Sequence, residues 1–201
     1  YPAKLHVIMV ARLIPFKRHL QILPIYKKMI AAGYDIQIFI LDEGSEKDKI
    51  RKYIDDHHLQ KRIHLVGFTT KFLDYMMASD ILIHPSLTEA SNNVVKEMGL
   101  MKKAVAVCKG VGDFDEYIIN EKNGFLMNIE DPEKDVEVIL NSLYINKNKS
   151  IKQRKMKTMN PFKNLQLLAI LFSVITIIGC SNEDDIAPEE ENEVEVFTDV
   201  T

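Results

Sequence analysis

The chain has 201 residues, 46% of them hydrophobic and 27% charged, with a formal net charge of −3. That is the composition of a folded domain with one good core and a tail, and it lacks the basic excess that nucleic-acid binding demands. The average conceals a split: residues 151–182 hold five Lys/Arg and no acid, residues 183–201 hold nine Asp/Glu and no Lys/Arg, and residues 1–150 are nearly neutral.

Leu5 to Val10 is an apolar run of strand length, and it starts so early that no signal peptide or preceding domain is expected. Ala11 to His19 forms a loop entering a helix predicted from about Lys17 to Ala32. Pro24 should kink that helix or mark a late first turn, and Gly33 should stop it. Asp35 to Leu41 reads as a buried strand, and Asp42-Glu-Gly-Ser as a turn with Ser45 as candidate N-cap. A helix from Glu46 to His57, a strand from Arg62 to Val66 and a short helix from Thr70 to Ala78 follow. Asp80 to His84 is a further strand. Lys103 to Cys108 is another, ending in Lys109-Gly-Val-Gly112. Asp113-x-x-Glu116 has the form of a capping box. A last strand, Gly124 to Met127, precedes a helix from Asp131 to Tyr144.

Apolar strands alternating with helices predict an α/β fold. The expectation is a Rossmann-like parallel sheet of about six strands with helices on both faces, followed by a non-globular tail. In such sheets ligands bind beyond the carboxyl ends of the strands. The loops at those ends are 12–17, 42–44, 67–70, 84–93 and 109–113, and they hold most of the domain's unusual polar residues. The stretch from His84 to Glu97 stands out. It reads as strand, loop and helix, with Asn92 and Asn93 where the helix begins. A helix N-terminus offers unpaired N–H groups and partial positive charge to a phosphate. Glu89 in the loop and Glu97 in the helix are carboxylates, which accept hydrogen bonds from sugar hydroxyls. The histidines form no rival site: His57 and His58 point apart, His6 and His64 pack within strands, and His84 either faces the site or is structural. Cys108 reads as a buried thiol. Cys108 and Cys180 lie in unlike surroundings and make no disulfide framework.

Arg12 and Lys17 after the first strand, Asp80-Ile-x-Ile-His-Pro-Ser86, Glu89-x7-Glu97 and Gly112-x3-Glu116-x7-Gly124-Phe form an ordered set. Over residues 4–145 it resembles the C-terminal, donor-binding half of retaining glycosyltransferases of the GT-B fold, the glycosyltransferase group 1 family. The resemblance implies transfer of a sugar from a nucleotide-diphosphate sugar to an acceptor hydroxyl, with retention and with no metal. It implies that Arg12 and Lys17 hold the diphosphate, Glu89 contacts the donor sugar and Glu97 binds the ribose hydroxyls. Ser91, Asn92 and Asn93 would line the phosphate side of the loop, and Gly67 and Phe68 would lie where the base binds. Three positions depart from the family pattern: Ala11 for a glycine, Asp42-Glu-Gly44 for Gly-x-Gly, and Ser91-Asn92 for an aromatic–glycine pair. An N-terminal, acceptor-binding domain would be the missing partner, so a donor half alone is expected to be inactive. A nucleotide-binding module without transfer is the alternative. Residues 1–145 would be cytoplasmic or associated with the inner membrane.

Beyond that domain the character changes. Residues 146–164 form a basic linker or n-region, 165–180 an apolar segment too short for a spanning helix, and 181–201 an acidic tail expected to be disordered. Ile177-Ile-Gly-Cys180 resembles a bacterial lipobox, so residues 156–201 would by themselves direct lipoprotein export. Such a signal belongs at an N-terminus. Two reading frames joined near residue 150 account for it, and a C-terminal anchor giving membrane association through 165–180 is the alternative.

Overall fold

The computed structural model describes residues 2–158. Six strands, β1 (Leu5–Val10), β2 (Ile36–Leu41), β3 (Ile63–Gly67), β4 (Ile81–His84), β5 (Ala104–Cys108) and β6 (Phe125–Met127), pair in parallel in the order β3-β2-β1-β4-β5-β6. Every residue of β2 and of β4 is buried, as their mostly apolar sequences suit in a sheet covered on both faces, and the polar exceptions Gln37 and His84 are buried with them. The helices are α1 (His19–Ala31), α2 (Lys47–Asp56), α3 (Phe72–Ala78), α4 (Asn93–Leu100), α5 (Phe114–Tyr117) and α6 (Pro132–Thr158). Right-handed crossovers place α1 and α2 on one face and α3, α4 and α5 on the other, because the strand order turns back after β3. The core is one cluster running from Leu5 to Leu140.

Local chemistry explains most boundaries. In α1 the buried residues His19, Ile22, Leu23, Tyr26 and Met29 recur at helical spacing on one side. Pro24 is exposed and the helix runs through it. Gly33, at φ +83°, ends the helix: its N–H donates to Ile30 O and that of Tyr34 to Met29 O, the paired bonds of a Schellman motif.

Four expectations need correction. The first helix does not begin at Lys17. Pro15–Lys17 is a 3-10 turn, and Arg18 at φ +56° separates it from α1. Ser45 is not an N-cap; Glu46 takes that position, without a side-chain cap. Asp113 and Glu116 form no capping box. The Asp113 carboxylate accepts instead from Lys96 Nζ at 2.7 Å, a charge-assisted bond that outcompetes a local cap. The last helix passes Tyr144 and continues to Thr158. No Gly or Pro interrupts residues 133–158, and Lys147 in that continuation pairs with Asp80 before β4.

The chain divides into two units, Tyr1–Arg154 and Lys155–Thr201. The first carries the sheet. The apolar stretch 165–180, Cys180 and the acidic tail 181–201 lie outside the described residues. Among the described residues no helix is long and apolar enough to cross a membrane.

Candidate functional site

The strand order reverses between β1 and β4, so the chain leaves these neighbouring strands in opposite directions and opens a crevice at their carboxyl ends. The loop after β1 supplies Lys17, and the loop after β4 supplies Ser86, Thr88 and Glu89. Their backbones are tied directly, with Leu87 N–H donating to Phe16 O at 2.9 Å. A third loop closes on them. Gly112 has φ +57°, and a Cβ there would meet Glu89 Cβ at 3.0 Å and Glu89 O at 3.1 Å. The loop after β2 is packed as tightly: a Cβ at Gly44 would lie 2.3 Å from Leu13 O. Asp42, standing where the family pattern has a glycine, adopts φ +94°, a conformation costly for any side chain but open to glycine.

Within the crevice Lys17 Nζ donates to Glu89 Oε1, to Ser86 Oγ at 3.2 Å and to Thr88 O at 3.5 Å. His84, the last residue of β4, brings Nε2 to 2.6 Å from the same Glu89 Oε1. Asn92 caps α4 by accepting from Val95 N at 3.1 Å, and its Nδ2 lies 3.1 Å from His84 Nε2. The cap leaves the N–H groups of Asn93 and Val94 at the helix start for a ligand. The cluster is well shielded, with side-chain exposures of 15% for Lys17, 10% for Glu89 and 2% for His84.

Burial alone would push the Glu89 carboxyl up. Hydrogen bonds and charge from His84 and Lys17 outweigh it and hold the group down at about 2. Glu89 is therefore an ionised acceptor. His19, the first residue of α1, is fully buried and neither ring nitrogen has a partner. Burial, with the nearby His84 and Lys17 adding to it, lowers its imidazole to about 3, so it is neutral. Glu97, one turn into α4, has a buried Oε2 that also lacks a partner. Unpaired buried polar atoms cost free energy; the two His19 ring nitrogens, close to His84 and Lys17, and Glu97 Oε2 on α4 are three such atoms.

Of the residues singled out from sequence, Lys17, Glu89 and Asn92 join one network directly. Arg12 is exposed at the end of β1, and its guanidinium has no partner among the described residues. Ser91 is exposed and its Oγ accepts from Lys96 Nζ at 2.7 Å, which turns it toward α4 and Asp113. Asn93 is exposed as the first residue of α4. Gly67 ends β3 at φ +80°, and Phe68 after it is 73% exposed, its N–H donating to Glu43 Oε1 at 3.4 Å. Sequence reasoning passed over His19, whose helical spacing with Ile22, Leu23 and Tyr26 made it look like ordinary core. It also passed over Ser86, a Lys17 partner. Among the described residues no group of three or more His, Cys, Asp or Glu side chains converges as a metal site requires. Cys108 is fully buried, and burial raises its thiol to about 11, which leaves it inert. A cavity of about 780 Å³ beside the amino ends of β5 and β6 reaches Val95 and Lys96 of α4 but is lined by none of Lys17, His84 and Glu89.

A family model described as "Glycosyl transferases group 1" matches residues 2–158. The chain is 28% identical over 120 residues to the phosphatidylinositol N-acetylglucosaminyltransferase GPI3 subunit of Saccharomyces cerevisiae, covering 59% of this chain and 26% of that protein. It is 25% identical over 118 residues to a poly(ribitol-phosphate) alpha-N-acetylglucosaminyltransferase of Staphylococcus aureus, covering 59% and 24%. The chain thus spans about a quarter of the length of these curated relatives. Among solved structures, Staphylococcus aureus TarM in a complex that includes UDP superposes with TM-score 0.61 at 22% identity, over 85% of this chain and 35% of that one. Anabaena HepE with UDP-glucose gives 0.60 at 20%, over 84% and 48%. The C-terminal domain of the group 1 protein LpcC of Francisella tularensis gives 0.60 at 19%, over 71% and 76%.

Proposed function

The chain belongs to the glycosyl transferases of group 1, and from that premise we propose that it is the donor-binding half of an enzyme that moves a sugar from a nucleotide diphosphate to an acceptor hydroxyl with retention. One observation carries the reading. The crevice at the reversal of the strand order joins a cation, an ionised carboxylate and a capped helix N-terminus, and on that same helix a buried Glu97 oxygen still lacks a donor.

Breaking the sugar–phosphate bond leaves negative charge on the departing diphosphate. Lys17 and Arg12 would neutralise it, Lys17 as a point charge and Arg12 as a planar fork, and the N–H groups of Asn93 and Val94 would add the dipole of α4. The Ser91–Asn92 loop would flank the same phosphates. Glu97 Oε2 would accept from a ribose hydroxyl, which satisfies its missing partner. Glu89 would accept from a hydroxyl of the donor sugar. Gly67 and Phe68 would border the base. UDP and UDP-glucose in the neighbouring structures make uridine nucleotides the first donors to try, and the two N-acetylglucosaminyltransferases among the relatives make a hexosyl donor the first class of sugar. Electrostatic work by these side chains would need no metal ion.

The acceptor site would belong to a second, N-terminal domain, and the isolated chain would then bind donor without transferring it. The chain's quarter-length match to its curated relatives supports that division. A non-catalytic nucleotide-binding module would use the same crevice. Residues 1–145 would work in the cytoplasm or at the inner membrane. Lipidation at Cys180 would instead tether the product, and incorporation of labelled palmitate that is lost in Cys180→Ser checks this.

Calorimetric titration of the chain with UDP tests the site. Lys17→Ala and Glu97→Ala are each expected to weaken binding, and unchanged affinity in both variants removes the assignment.

A further inference from the structure

We propose that His84 is a positioning residue that fixes the Glu89 carboxylate in the orientation needed to receive a donor sugar. The inference rests on the donor-binding reading above and adds a residue to it.

The geometry is specific. Lys17 and His84 both land on Oε1 of Glu89, so Oε2 makes none of these bonds and is the oxygen left to accept from a ligand hydroxyl. An ionised carboxylate only accepts, so the proton of the His84–Glu89 bond sits on Nε2. His84 itself has little freedom. It is 2% exposed, pairs in register with Val107 of β5, and lies edge-on to Phe114 with ring centroids 6.0 Å apart. Lys17 is different: it stands on a 3-10 turn, at the end of a flexible four-carbon stem.

The two partners therefore have separate fates when donor arrives. A diphosphate in the crevice competes with Glu89 for the Lys17 ammonium. The His84 bond does not depend on Lys17, so the carboxylate keeps its orientation after the lysine has turned to phosphate. Asn92 Nδ2 lies 3.1 Å from the same imidazole nitrogen while its Oδ1 caps α4; both nitrogens are donors once Nε2 carries the proton, so Glu89 is the acceptor that holds the ring.

The test uses the full chain with His84→Ala, His84→Gln, Glu89→Gln and the His84→Ala/Glu89→Gln pair. UDP and UDP-glucose are the calorimetric probes, thermal unfolding controls for damage, and carbon-detected NMR follows the Glu89 carboxyl without ligand. Removing a hydrogen bond to a charged group costs about tenfold. His84→Ala is expected to weaken UDP-glucose by about that factor while moving UDP by less than about twofold. It should also raise the Glu89 titration. His84→Gln, which keeps an N–H donor, should restore both, and the double variant should be no weaker than Glu89→Gln alone. Equal losses of UDP and UDP-glucose together with a lower melting temperature would show His84 to be merely structural. A Glu89 titration unmoved by His84→Ala also overturns the proposal. A moved titration in a chain that binds UDP and UDP-glucose equally supports the hold of His84 on Glu89 and overturns instead the assignment of Glu89 to the sugar.

Discussion

A carboxylate, a lysine and a histidine meet at each end of strand β4. At its amino end Asp80 meets Lys147 and His6, and at its carboxyl end Glu89 meets Lys17 and His84. The amino-end trio is half open, with side-chain exposures of 21% to 35%, and Asp80 also accepts the His6 backbone N–H at 2.8 Å. That carboxylate stitches β1, β4 and α6 together. The carboxyl-end trio is more deeply shielded, ties two loops to the end of β4, and lies close to His19, whose Nδ1 and Nε2 have no partners. Similar chemistry closes the fold at one end, and at the other it sits where we propose that a ligand binds. What separates them is whether hydrogen-bonding capacity is used up.

The lysines give the largest expected contrast. Lys17→Ala should weaken UDP by about tenfold to a hundredfold, the worth of a charge-assisted bond to phosphate. Lys147→Ala should leave the UDP affinity unchanged and lower the melting temperature. Equal effects of the two on UDP would erase the distinction.

The carboxylates come next. Asp80→Ala should destabilise the chain by about 1–3 kcal/mol in urea unfolding, because it strands the His6 N–H, and UDP affinity should be preserved in the folded fraction.

The histidines should differ in sign. His19→Leu removes two unpaired buried nitrogens and is expected to stabilise the chain by about 1 kcal/mol, whereas His6→Leu should destabilise it. Because the folded His19 is held at about 3 against an ordinary 6.5, the unfolded chain takes up that proton first. Stability from this source is lost as pH falls from 6.5 toward 3, and His19→Leu should remove that part of the slope.

The last effect is confined to acid. Glu89 is held at about 2 against the usual 4.5, so its contribution is full above 4.5 and disappears as pH falls through about 2. The stability advantage of the wild-type chain over Glu89→Gln should shrink across that window. An advantage constant from pH 6 to pH 2.5 would mean that Glu89 is not ionised by its partners in the folded state.

Much of this was legible in the order of residues. Apolar runs such as Ile38–Leu41 and Ile81–Ile83 announced buried parallel strands, and Asn92 announced a helix start that the structure confirms by its cap bond. The loops at the carboxyl edge followed from the alternation of strands and helices. Other local signals misled. Asp113-x-x-Glu116 has the spacing of a capping box, yet Lys96, 17 positions away, takes the carboxylate. His19 kept helical spacing with its apolar neighbours and gave no sign that its ring nitrogens would be orphaned.

Short-range steric and hydrophobic preferences act between residues a few positions apart, so the sequence by itself determined the succession of elements, their parallel arrangement and the edge where polar residues gather. Tertiary structure decided what those residues do there. Lys17 and Glu89 are 72 positions apart, and their meeting on one carboxylate oxygen depends on how β1 and β4 pack side by side. The same packing left Glu97 and His19 without partners, because hydrogen-bond satisfaction depends on everything a folded chain brings within about 3 Å of an atom.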